Sequence, residues 1–88
     1  MKYTVLWQEK AEQSLAGIWM RSSDRDAVTR AAQEIDRELQ THPVDIGESR
    51  SSGERVFFSR PLGVAYSIRP GDMLVRVLRV WQIKRRGE

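Results

Sequence analysis

The sequence predicts an α+β domain of order β-α-α-β-β-β, in which a helical hairpin packs on one face of a small, mainly antiparallel four-stranded sheet. Three observations predict it. The chain has 88 residues, room for one domain with one small core. Apolar residues recur at helical spacing between Ala11 and Leu39. From Arg55 onward the apolar period falls to two, and Pro61-Leu62-Gly63 and Pro70-Gly71-Asp72 punctuate the runs as turns.

Each element has its own signal. Tyr3-Thr4-Val5-Leu6-Trp7 is β-branched and aromatic and stops at a charged segment, which reads as a strand. From Glu9 to Met20, Ala11, Leu15, Ile18 and Trp19 fall at i, i+4, i+7 and i+8, the stripe of an amphipathic helix. Gly17 interrupts it at a cost of about 1 kcal/mol relative to alanine, so this helix relies on packing. Ser22-Ser23-Asp24-Arg25-Asp26 is a break and a restart. Ser23 with Asp26 three residues on matches a capping box. The second stripe is Val28, Ala31, Ala32, Ile35 and Leu39, and it stops at His42-Pro43, because the residue before proline is pushed out of helical geometry. Residues 43–54 lack any period and form the one long loop. Strands then follow over 55–60, 64–69 and 73 to about 84. The last is apolar on both parities, as in a strand covered on both sides. Strict alternation would place Arg76 and Arg79 on opposite faces.

Composition narrows the chemistry. Apolar residues at 40% and charged residues at 31% describe a soluble globular chain. With no cysteine there is no disulfide, thiol nucleophile or cysteine-held metal, and the single histidine, His42, disfavours histidine metal sites and Ser–His–Asp machinery. No apolar run resembles a signal peptide or approaches the roughly 20 residues of a membrane span. The expectation is a cytoplasmic single domain over residues 1–88, with no cofactor, metal or membrane partner.

The net charge of +3 conceals an asymmetry. Residues 1–48 carry 6 basic and 9 acidic side chains, whereas residues 49–88 carry 9 basic and 3 acidic ones. Twelve of the 15 basic residues are arginines, whose planar guanidinium binds phosphate or carboxylate through paired hydrogen bonds. The second half therefore reads as a surface for a polyanion or an acidic protein. Arg55, Arg60 and Arg79 are the strand arginines expected to converge. With Trp81, Lys84 and Arg85 they would join charge to a stacking surface, as in single-strand nucleic-acid binding. The plainer readings stay open: arginines that solvate a sheet face, Trp81 in the core, and Lys84-Arg85-Arg86 as a solubilising tail. Glu48 beside Arg50 reads either as a loop salt bridge or as a partner contact. His42 reads as a helix-end residue, and the pairs Glu9/Glu12 and Glu34/Glu38 as solvated helix surface.

The chain resembles the RelE/ParE superfamily of type II toxin–antitoxin toxins. The likeness is carried by the loop ending in Gly47-Glu48-Ser49-Arg50, then Arg55-Val56-Phe57-Phe58, then Pro61 to Ile68, and then Leu74 to Trp81 before Lys84-Arg85-Arg86. The resemblance implies a RelE/ParE-like fold and a toxin neutralised by an acidic, partly helical antitoxin. It implies action either on ribosome-bound mRNA, by binding or cleavage through a basic sheet face, or on DNA gyrase without chemistry. A non-toxic basic interaction module of the same fold is the remaining alternative. In the RNA-cleaving members a catalytic arginine often stands two or three residues before Tyr66, where this chain has Gly63 or Val64; many have histidine at position 81, which here is Trp81; and the last residues up to Glu88 include no tyrosine or histidine. A ribosome-dependent endoribonuclease built on this sequence would work mainly with arginines: Arg55, Arg60 and Arg79 binding phosphate and transition-state charge, Glu48 as base, and Arg50, Trp81, Lys84 and Arg85 holding RNA or a partner.

Overall fold

The computed structural model describes residues 2–50 and 52–83. The chain runs through β1 (Thr4–Trp7), α1 (Glu9–Arg21), α2 (Arg25–Thr41), β2 (Glu48–Ser49), β3 (Arg55–Ser59), β4 (Leu62–Arg69) and β5 (Leu74–Gln82). The strands form one sheet in the order β1-β5-β4-β3-β2, with β1 parallel to β5 and the other pairs antiparallel. The α+β architecture is as expected, with one strand more than expected. β2 is two residues long, pairs with Val56 and Arg55, and sits inside the long loop, where two residues offer no period to read.

The helices hold the sheet through the predicted stripes. Ala11 and Ile18 of α1 and Val28, Ala31, Ile35 and Leu39 of α2 are buried against Leu62, Val64, Tyr66, Val75 and Val77. Burying a side chain of this size contributes about 1.5–3 kcal/mol. The α2 start differs from expectation. Asp24, not Ser23, is the N-cap, and its carboxylate accepts from Ala27 N–H at 3.1 Å. Ser22 Oγ in turn accepts from Asp24 N–H at 3.0 Å. Trp19 departs from the predicted core stripe. It lies on the outer surface, 40% exposed, with Nε1–H donating to Thr29 Oγ1 and the Arg25 guanidinium 4.6 Å from its ring centre. Among the described residues no helix is long and apolar enough to cross a membrane.

One irregularity sets the open face of the sheet. Between β4 and β5 the register slips: Tyr66 faces Val77, but Ala65 faces Arg79, leaving Leu78 as an extra residue. Before the slip, Val75 and Val77 point to the helices; after it, Val80 does. Arg76 and Arg79, opposite Ser67 and Ala65, therefore share the face away from the helices. This corrects the opposite-face placement that strict alternation predicts.

The same face carries Trp81 opposite Gly63. The indole lies directly against that glycine, and a Cβ placed there would come within 2.6 Å of the ring. Phe58, on β3, meets Trp81 edge-on with ring centres 6.1 Å apart. Gly63→Ala is therefore expected to displace the indole and cost about 1–3 kcal/mol as an overpacking change. Urea unfolding together with the Trp81 indole N–H resonance checks this. An unshifted resonance and unchanged midpoint would refute the packing.

Candidate functional site on the open sheet face

On the open face Arg79 stands two residues from Trp81 on β5, beside the Phe58–Trp81 pair, while Arg76 and Arg69 lie further along the sheet, about 13 and 20 Å from Gly63 in the strand direction. Arg79 Nη2 donates to Glu54 Oε1 at 2.7 Å. Glu54 immediately precedes β3 and Arg79 sits on β5, so the pair reaches across β4, about two strand spacings or ~10 Å of sheet. Arg69 and Arg76 engage no carboxylate among the described residues. The result is an aromatic shelf bordered by one guanidinium held by a carboxylate, with two further guanidiniums along the same face that pair with no carboxylate among the described residues. That combination suits a phosphate backbone with unstacked bases.

The residues expected from the sequence divide among several places. Arg79 and Trp81 share this face. Glu48 and Arg50 pair with each other at 3.1 Å at the β2 edge, both exposed. Arg55 turns the other way. Its guanidinium donates to the carbonyls of Ile46 (3.0 Å) and Gly47 (3.3 Å), holding the loop before β2. Arg60 lies in the β3–β4 turn, at the opposite end of β3 from Arg55 and so ~17 Å away along the strand. It borders a polar cleft with Ser22, Ser23 and Gln82. His42 caps α2, and its Nδ1 stands 2.9 Å from Thr41 Oγ1 and 3.6 Å from Glu38. Lys84 and Arg85 lie outside the described residues. Among those residues no cluster of histidine or carboxylate side chains is placed to hold a metal.

Sequence reasoning missed Glu54, Arg69 and Arg76. Glu54 carries no local signal, since only the register of the sheet brings it to Arg79. For Arg76 a signal exists: Val75 and Val77 keep one parity and Val80 breaks it, and an odd step within an apolar alternation marks a bulge.

The loop behind the face is clamped from below. The Tyr66 hydroxyl is within hydrogen-bonding distance of the carbonyls of both Pro43 (2.9 Å) and Ile46 (3.0 Å). Gly47 then turns at φ 76°, with the place of its missing Cβ 2.6 Å from Val56 O, so no other residue fits without strain.

No family model matches the sequence, and no curated protein matches it either. Solved structures do match in shape. The RelBE2 toxin–antitoxin complex of Mycobacterium tuberculosis superposes with a TM-score of 0.76 at 20% identity, covering 93% of this chain and 92% of that one. The chromosomal ParDE system of P. aeruginosa gives 0.70 at 16% identity, over 93% and 97%. The isolated E. coli RelE toxin gives 0.66 at 12% identity, over 97% and 88%. The fold of this chain is thus the RelE/ParE fold.

The clamp predicts a pH dependence. Burial pushes the Tyr66 phenol above the ordinary 10.0, with Arg55 pulling more weakly the other way. Folding therefore favours the protonated phenol. That stability is complete below about pH 10 and lost as pH rises through the folded-state pKa. Tyr66→Phe should lower stability by about 1–3 kcal/mol at neutral pH, since the buried Pro43 carbonyl loses the hydroxyl that donates to it while Ile46 C=O keeps only Arg55. It should also remove part of the fall in urea midpoint above pH 10. Parallel alkaline profiles for the two proteins would refute this role.

Proposed function

We propose that this chain is the toxin component of a type II toxin–antitoxin system, and that it inhibits translation by engaging ribosome-bound mRNA on the open sheet face. The observation that carries this reading is the bulge at Leu78, which turns Arg79 to the face of Arg76 and sets it two residues from Trp81, on a face that no helix covers among the described residues. The shape match to RelBE2 and ParDE, both toxin–antitoxin systems, supports it.

In this reading the aromatic shelf stacks bases and the arginines hold the phosphate between them. Cleavage would proceed by attack of a ribose 2′-oxygen on the adjacent phosphorus, forming a cyclic phosphate and expelling the 5′-oxygen of the next nucleotide. Arg76 and Arg79 neutralise charge gathering on the phosphoryl oxygens. Glu54, released as Arg79 turns to phosphate, accepts the 2′-hydroxyl proton and returns one to the leaving oxygen. Glu48, the base expected from the sequence, stands beside Arg50 at the β2 edge and would serve RNA lying further across the sheet. Arg55 supports the site by holding the loop. A second reading, a toxin that inhibits DNA gyrase without chemistry, draws on the resting Arg79–Glu54 ion pair, in which the carboxylate beside Arg79 is already engaged.

Induced expression with a growth readout, followed by primer extension on cellular mRNA, separates these readings. The proposal expects growth arrest with cleavage at defined codon positions. Arrest with intact mRNA and DNA damage would establish the gyrase reading, and unaffected growth a module without toxicity. Arg76→Ala combined with Arg79→Ala should lower cleavage at least about 100-fold, while circular dichroism shows the fold retained. Full toxicity in that variant would overturn the assignment.

A further inference from the structure

On the other side of the molecule, an apolar groove runs between α1 and α2. Two adjoining hollows make it, about 440 and 570 Å³, and Glu12, Leu15, Ala32 and Gln33 line both. Trp7 stands at one end and Trp19 at the other. At the Trp19 end the Met20 side chain projects, 67% exposed. Leu15, Ala16, Trp19 and Met20 lie at i, i+1, i+4 and i+5, so they form one strip along α1 rather than scattered exposures. A contiguous apolar strip with polar residues at its rim is the mark of a protein contact.

The charges along the groove are divided between its ends. Two carboxylates and one guanidinium, those of Glu12, Asp36 and Arg37, border the Trp7 half. At the other end the Arg25 guanidinium lies over the Trp19 ring, held by the carbonyls of Trp19 (3.1 Å) and Met20 (3.0 Å). Neither Glu12 nor Arg25 has an ion-pair partner among the described residues. Glu12 and Trp19 are seven residues apart on α1, a span of about 10 Å. A two-fold axis over the middle of that span, at the exposed methyl of Ala16, sets Glu12 of each copy against the partner's Arg25. The charge pattern selects this occupant. An acidic segment would meet Glu12 and Asp36, a basic one would meet Arg25, and an apolar one would leave both signs unpaired. The groove face of a second copy supplies each sign opposite the other.

We propose that this groove is the interface of a symmetric homodimer of the chain. The α1 helices cross antiparallel at Ala16, and each Met20 enters the hollow on the Trp7 side of its partner. Glu12 pairs with the partner's Arg25 at both ends. Apolar burial supplies the association, and the two crossed ion pairs fix its register. The four helices become the middle of the dimer, so the open sheet face of each copy stays turned to solvent.

Sedimentation equilibrium of the purified full chain tests this with no other protein present. The expected result is a monomer–dimer equilibrium in the micromolar range. Met20→Glu and Ala16→Glu, each at an exposed position, should weaken it at least about tenfold while circular dichroism stays unchanged. Glu12→Arg and Arg25→Glu should each weaken self-association, because either homodimer then sets like charges together twice. Mixed in equal amounts, these two variants should form heterodimers within about threefold of the wild-type strength, since both crossed pairs are again of opposite sign. The proposal is overturned by a chain that stays monomeric up to millimolar concentration. It is equally overturned by Met20→Glu or Ala16→Glu chains that dimerise as tightly as wild type, or by a mixture that associates no better than its components. An amphipathic leucine–lysine–glutamate helical peptide that shifts the Ala16 and Met20 methyl resonances of a monomeric chain would assign the groove to a partner helix instead. No growth or cleavage is measured, so this result and the toxin reading stand or fall separately.

Discussion

The register slip at Leu78 is the constraint on which the rest of the surface depends. Without it, β5 would continue the alternation that buries Val75 and Val77, and Arg79 would point into the apolar layer beneath the helices. An unpaired guanidinium there would cost several kcal/mol in desolvation, and Val80 would be turned to water in exchange. One extra residue resolves both problems. Val80 joins the core, and Arg79 reaches the side where Glu54 meets it. The bulge also sharpens the local twist, which helps carry the end of β5 past the end of β1.

The second determinant is the anchoring of the long loop. The carbonyls of Pro43, Ile46 and Gly47 accept from two side chains of the sheet. The Tyr66 hydroxyl reaches up from β4, and the Arg55 guanidinium reaches back from the start of β3. Gly47 makes the turn that sets Glu48 against Val56 and begins β2. Residues 43–49 are thereby tied to the sheet, and Glu48 and Arg50 pair at its β2 edge.

Much of this was legible in the sequence, for physical reasons that can be named. The helices announced themselves because a stripe at 3.6-residue spacing has one interpretation once it spans Val28 to Leu39. The hairpins followed from period two and proline-containing turns. What stayed hidden depends on pairing between distant residues. Arg55 looks like any strand arginine, yet it serves backbone carbonyls nine residues earlier. Glu54 reads as the end of a polar loop, yet it is the partner of Arg79. Trp19 satisfied the helical period but lies outside, because an indole this large finds room and a hydrogen-bond partner in Thr29 only at the rim of the hairpin. Counting arginines also overstated the free charge: Arg50, Arg55 and Arg79 are engaged within the fold.

Trp81 joins the two surfaces of β5. Its ring lies on Gly63 and against Phe58, forming the shelf of the open face, and it also borders a cleft between β5 and α1. Its main chain belongs to the half of β5 that pairs with β4 alone among the described residues, so the indole and the neighbouring Arg79 are carried by one strand partner. Val75 and Val77 are fixed between β1 and β4, and whatever freedom β5 has is confined to the half beyond the bulge, where the arginine and the tryptophan reside.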